Sequence, residues 1–227
     1  MRVKLPVLAV LVILGGGLSA CGENSDTSKA TGGTKIIVGS FGFSESETLA
    51  QIYGTALENA GADVEYRLKL GSREVVGPAL EKGDIDMVPE YLGNYLAFLD
   101  KSQTRGLPEP EALKALQAAA AAKGVTVAEA SEATDGDVIA VTKDFATKNA
   151  VKTISDLKKL PAPITLAGPS ECETRETCLL GLGTAYGLQV TFVSTGADAG
   201  GPITKKALDD GTAQIGRLFS SDPDVGK

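Results

Sequence analysis

The chain of 227 residues has no histidine and no tryptophan, and each absence excludes chemistry. Without an imidazole there is no His-based metal site, no Ser-His triad and no Cys-His dyad. Without an indole, the broad ring that stacks on a sugar face is missing. No Gly-x-x-x-x-Gly-Lys phosphate loop is present. The three cysteines lack Cys-x-x-Cys spacing, which argues against zinc. Positive charge is scarce too: the net charge is −7, whereas nucleic-acid binding needs a basic stripe. No metal, cofactor or nucleic-acid partner is expected. What remains is 43% hydrophobic, enough for one large domain or two small lobes with separate cores.

Residues 1–20 read as a targeting segment. Arg2 and Lys4 supply a positive start, and Leu5 to Leu14 form an apolar run too short for a comfortable membrane span. Leu18-Ser19-Ala20-Cys21 then resembles the lipobox of bacterial lipoproteins, in which the cysteine becomes a lipidated N-terminus. The alternative is an ordinary secretory signal with a chance cysteine. Several acyl chains on Cys21 would anchor the protein to a membrane stably, where one chain would not. Residues 21–34, rich in Ser, Thr, Gly, Asn and Asp, have no apolar period and read as a flexible tether. The expected location is extracytoplasmic, lipid-anchored to the cell membrane. Lipidation of Cys21 leaves Cys172 and Cys178 in an oxidising compartment, where a disulfide between them is expected. A pair of free buried thiols is the alternative.

Folded structure is expected from Lys35, with lobe 1 over residues 35–135. Ile36 to Gly39 reads as a strand. Ser44 and Glu47 suggest a capping box for a helix with Leu49, Ile52, Tyr53, Ala56, Leu57 and Ala60 on its inner face. Val64, Tyr66, Leu68 and Leu70 alternate as a half-buried strand. A short helix over Val75 to Leu80 follows, closed by Gly83, with Pro78 implying a kink or a later start. Ile85 to Val88 reads as a buried strand, Leu92 to Asp100 and Glu111 to Lys123 as helices, and Val125 to Ala128 as a strand. The β-α-β-α-β order points to an α/β sheet with crossover helices. In such sheets ligands sit outside the carboxyl ends of strands. Arg73, Glu74, Glu90 and Tyr91 all fall just after expected strand ends.

Residues 136–227 open a second β-α-β series. Strands are expected at Val138 to Thr142, Ile164 to Ala167, Gln189 to Val193 and Gln214 to Leu218. Helices are expected at Lys143 to Asn149, Ser155 to Leu160, Thr174 to Tyr186 and Pro202 to Asp210. Ala79-Leu80-Glu81-Lys82-Gly83-Asp84 in the first half echoes Ala207-Leu208-Asp209-Asp210-Gly211-Thr212 in the second, which suggests two lobes of similar build. A two-lobed protein normally crosses back to finish its first lobe, so the chain reads as truncated at its C-terminus.

Four runs together resemble one family: Gly39-Ser40, Gly71-Ser72-Arg73-Glu74, Pro89-Glu90-Tyr91-x-Gly93 and Gly200-Gly201-Pro202. They are similar to the osmoprotectant-binding proteins of ABC importers, the glycine betaine, choline and carnitine receptors of the OpuAC/ProX type. The resemblance covers Lys35 to the end. It implies a two-lobed type II periplasmic-binding-protein fold, a monomer, a small-molecule osmolyte as ligand and the transmembrane subunit of an ABC permease as partner. It also implies a ring cage for a quaternary ammonium, since a cation over ring faces is attracted by ~2 kcal/mol or more when desolvated. Tyr91 matches one cage position, Phe219 before Ser220-Ser221-Asp222 another, and Arg175 the basic residue that holds a carboxylate. Ser40, Phe43, Arg73, Asn94 and Ser220 join them as expected ligand-lining residues. Two positions depart from the pattern. Asp137 stands where the family has a cage tyrosine, and Phe41 where it often has a lysine. Asp137 would then pair with a ligand cation directly, or simply face solvent from a hinge loop.

The leading expectation is a non-enzymatic receptor for a quaternary amine. A second keeps the receptor role but takes a neutral, polyol or aromatic ligand, with Phe41 and Phe43 as apolar wall. A third is a periplasmic hydrolase using Glu74 and Glu90 as a carboxylate pair ~5–10 Å apart.

Overall fold

The computed structural model describes residues 35–103 and 106–226. The targeting segment, Cys21 and the tether lie outside the described residues. The fold is α/β with two separate sheets, one in each half of the chain.

In the first half, strands β1 (Ile36–Gly39) and β2 (Val64–Arg67) run parallel, with Ile36 opposite Val64 and Gly39 opposite Arg67. Helix α1 (Ser44–Asn59) connects them. It buries Ser46, Ala50 and Gly54, and leaves Ile52 and Tyr53 58% and 40% exposed. This corrects the inner face read from the apolar period. The reason is close approach: a Cβ on Gly54 would lie 2.3 Å from the Tyr66 ring of β2. Only a stripe of small residues lets the helix sit that near the sheet. The expected Ser44–Glu47 capping box is also absent, because the helix starts one residue early, at Ser44, and no side chain caps it.

Helix α2 (Arg73–Lys82) keeps Pro78 inside it and ends at Gly83, which adopts the left-handed conformation (φ 75°) open to glycine. The strand expected at Ile85 to Val88 reduces to one parallel bridge, Val38 with Met87. The Ile37 amide donates to the Asp86 carboxylate instead of a neighbouring carbonyl, and Pro89 has no amide to extend the ladder. Helices α3 (Leu92–Leu99) and α4 (Glu109–Ala121) pack Tyr95 and Leu96 against Ala112, Leu116 and Ala120. Val125 and Val127 join that cluster, so the strand expected there does not form.

The second half carries β3 (Asp137–Ala140), α5 (Lys143–Asn149), β4 (Ile164–Gly168), α6 (Leu179–Thr184), β5 (Val190–Ser194), α7 (Pro202–Asp209) and β6 (Ile215–Phe219). The sheet order is β3-β6-β4-β5. Strand β4 is parallel to both neighbours, and β3 runs antiparallel to β6 with Asp137 opposite Phe219. Leu157, Leu166 and Ile215 fill its core. Helix α6 is shorter than expected. Cys172 and Cys178 are bonded, with their Cα atoms 5.2 Å apart, and the closed loop between them begins as a 3₁₀ turn over Ser170–Thr174. The stretch expected as a helix at Ser155 to Leu160 is likewise a 3₁₀ turn, Ile154–Lys159. Among the described residues, no helix is long and apolar enough to cross a membrane.

Candidate functional site

The cleft is lined by segments that follow the carboxyl ends of parallel strands from both sheets. From the first half, Phe41 and Phe43 follow β1, Arg73 opens α2, and Tyr91 and Asn94 begin α3; all five line the cavity. Gly71, in a left-handed turn at φ 119°, lets the chain double back between β2 and Arg73 along the same wall. From the second half come Arg175, after β4, and Phe219, at the end of β6.

The rings form one continuous cluster. Phe41 stacks on Phe43 at 5.9 Å between centroids, Phe43 on Phe219 at 5.2 Å, and Tyr91 on Phe219 at 6.2 Å. Phe219 is therefore the point where the second half touches the aromatic wall of the first. The Tyr91 hydroxyl donates to Glu45 Oε1 at 2.5 Å. Burial, together with that carboxylate, pushes the phenol well above its usual range, so it stays a neutral donor.

Three arginines line the same cavity, and each has a carboxylate partner. Arg73 is held by Glu90 in a two-bond fork, Nε to Oε1 at 2.6 Å and Nη2 to Oε2 at 2.8 Å. Burial lowers its pKa, but the bonds and charge of Glu90 outweigh that and raise it on balance. Its guanidinium lies 5.1 Å over the Phe41 ring. Arg175 reaches across the cleft to both oxygens of Glu74, at 2.9 and 3.0 Å, and lies near Glu171 on its own turn at 3.8 Å. Burial raises the Glu74 carboxyl, but hydrogen bonds from Ser72 and Arg175 win and hold it below the usual range.

Arg217 was not expected at the site. It lies on β6, two residues before Phe219, so both side chains stand on one face of the strand. Its guanidinium sits 4.0 Å from the Phe219 ring centroid. Asp137, opposite Phe219 in the register, lies diagonally from Arg217 on that face and accepts from its Nη2. Burial lowers the Arg217 pKa and Asp137 opposes the shift. A signal was present in the sequence: a lone charge within the apolar run Ile215 to Phe219, at the expected end of a buried strand.

Three expected residues do not face the cavity. Ser40 is fully buried; its hydroxyl donates to the Phe41 carbonyl and accepts from the Lys69 amide, fixing the turn after β1. Ser220 accepts from the Gly136 amide and donates to Asp135, tying β6 to the chain entering β3. Asp137 turns to Arg217 and to Asn94, whose amide donates at 3.3 Å, and it stands in strand β3, not in a loop. Glu74 and Glu90, the carboxylate pair considered for hydrolysis, are bound by separate arginines.

The family model describing the substrate binding domain of ABC-type glycine betaine transport systems, OpuAC, matches residues 34–227. A crystal structure of a glycine betaine/carnitine/choline ABC transporter is similar at 20% identity and a TM-score of 0.57, over 84% of this chain and 69% of that one. The apo form of YehZ from Escherichia coli is similar at 24% identity and a TM-score of 0.51, over 83% of this chain and 70% of that one. At these identities the two structures speak for the fold alone.

Proposed function

Because this chain belongs to the OpuAC family of substrate-binding domains, we propose that it captures a quaternary-amine osmoprotectant of the glycine betaine or choline kind and delivers it to an ABC permease. The observation that carries the reading is the convergence of Phe43 and Tyr91 from the first half with Phe219 from the second. Ring faces attract an ammonium through their quadrupoles, and more strongly where water is excluded. The rings lie 5.2 to 6.2 Å apart. A cation between two ring faces needs centroids roughly 8–10 Å apart, so the two halves must part to admit it. Ligand contacts on both sides then favour the state in which both halves engage it. No catalytic role is proposed: neither candidate carboxylate is free of an arginine. Outside the described residues, we read Cys21 as the lipid anchor, residues 21–34 as the tether and the protein as an extracytoplasmic monomer.

A neutral or aromatic ligand is the second reading. It is favoured by Arg73 and Arg217, which already cover ring faces of Phe41 and Phe219. Thermal melting of the full chain with glycine betaine, carnitine, choline, polyols and aromatic acids separates the two. A rise in Tm with the quaternary amines alone supports the first reading. A rise only with polyols or aromatic acids replaces it with the second.

A further inference from the structure

The three arginines of the cleft differ in how many of their donors are used. A guanidinium has five N–H groups in a planar fork. Arg73 commits Nε and Nη2 to Glu90. Arg175 commits Nη2 to Glu74 and holds Nη1 near Glu171. Arg217 makes one hydrogen bond among the described residues, from Nη2 to Asp137. It is nonetheless only 7% exposed, and it lines the cavity. A buried, charged fork with unused donors is matched by a planar acceptor of opposite charge. Arg217 also holds a face of Phe219, the ring that the second half brings to the cluster. A ligand cation settling on that ring meets a fixed positive charge. Asp137 offsets this charge in part, but from behind, since it does not line the cavity.

We propose that Arg217 determines specificity at this site: it takes the carboxylate of a zwitterionic quaternary amine and disfavours quaternary amines that carry no anionic group. The inference rests on the quaternary-amine reading above. It shifts the expected clamp from Arg175, whose donors serve the contact between the halves, to Arg217. A zwitterion brings its own counter-charge to the guanidinium and leaves its ammonium for Phe43 and Tyr91. Choline brings only the ammonium.

The test is isothermal titration of the full chain with glycine betaine and with choline. The wild type is expected to bind betaine at least ~10-fold tighter, the scale of one hydrogen-bonded charged contact. Arg217→Gln is expected to weaken betaine by ~10-fold or more while leaving choline unchanged or tighter, so the preference collapses. Arg217→Lys, which keeps a charge without the fork, should restore part of the preference. Because Arg217→Gln leaves Asp137 without its partner, the double variant Asp137→Asn with Arg217→Gln guards against misfolding; it should show the same collapse. Equal losses for the two ligands in both variants overturn the proposal and leave the receptor reading standing. So does a wild type that binds choline as tightly as betaine. A wild type that binds neither of them, nor carnitine, overturns the quaternary-amine reading and this inference with it.

Discussion

Each half of the molecule buries an arginine beside an aromatic ring, and the two are set differently. In the first half Arg73 starts a helix, donates to both oxygens of Glu90 and rests over Phe41. The same carboxylate accepts the Tyr91 amide at 2.8 Å, which fixes the start of α3 and so the position of Tyr91. This pair is structural, with its geometry complete without any ligand. In the second half Arg217 stands on a strand, donates one bond to Asp137 and lines the cleft. Equal burial does not mean equal role. The number of satisfied donors separates a brace from a group able to bind.

The largest effect should come from breaking the brace. Glu90→Gln leaves Arg73 charged and buried without a counter-ion and should cost ~3–5 kcal/mol of stability. Asp137→Asn should cost less, ~1–3 kcal/mol, since it alters one hydrogen bond to Arg217 where Glu90 makes a two-bond fork with Arg73. Urea denaturation of both variants measures the gap. Equal losses would erase the distinction between the two arginines.

A smaller effect concerns how each half holds its cleft-facing segment. The first half uses the Arg73–Glu90 pair; the second uses the covalent bond between Cys172 and Cys178, seven residues with Arg175 inside. Closing so short a loop contributes ~2 kcal/mol. Replacing both cysteines with serine should lower stability by about that amount. It should also weaken ligand binding, because the loop that carries Arg175 loosens. A loss of stability with unchanged affinity would show that the loop needs no staple to place Arg175.

The smallest effect lies where the halves meet. Glu74 is 45% exposed, so its pair with Arg175 is worth ~0.2–1 kcal/mol after screening. Its carboxyl is held below the usual range, so the contact is present above the ordinary glutamate pKa and is lost as pH falls through the lowered folded value. Melting of wild type and Glu74→Gln should therefore differ at pH 7 and converge as the pH falls below the usual glutamate range. A difference that persists at low pH would assign the effect to something other than this charge.

Much of the second half was legible in the sequence because its signals are local. Apolar runs mark β4 and β6, and Pro202 opens α7. The first half was harder because its determinants are long-range. The inner face of α1 depends on Tyr66 meeting Gly54, and the lost strand after Gly83 depends on Asp86 capturing the Ile37 amide. The site divides the same way. Phe41, Phe43, Arg73, Tyr91, Asn94, Arg175 and Phe219 follow strand ends or start helices, where a sequence pattern points. For Arg217 the sequence offers only a lone charge in an apolar run; the register of β3 against β6, which puts Asp137 within its reach, is what ties it to the site. The inward turn of Ser40 is likewise set by a partner 29 residues away, the Lys69 amide.

The central claim is that one binding site draws on both halves. Isothermal titration of glycine betaine into wild type, Tyr91→Ala and Phe219→Ala tests it most directly, since those rings come from opposite sides of the cleft. Each variant is predicted to lose roughly 10-fold or more in affinity, the scale of a desolvated cation–ring contact. Wild-type affinity in either variant would mean that one half binds alone and would contradict the account.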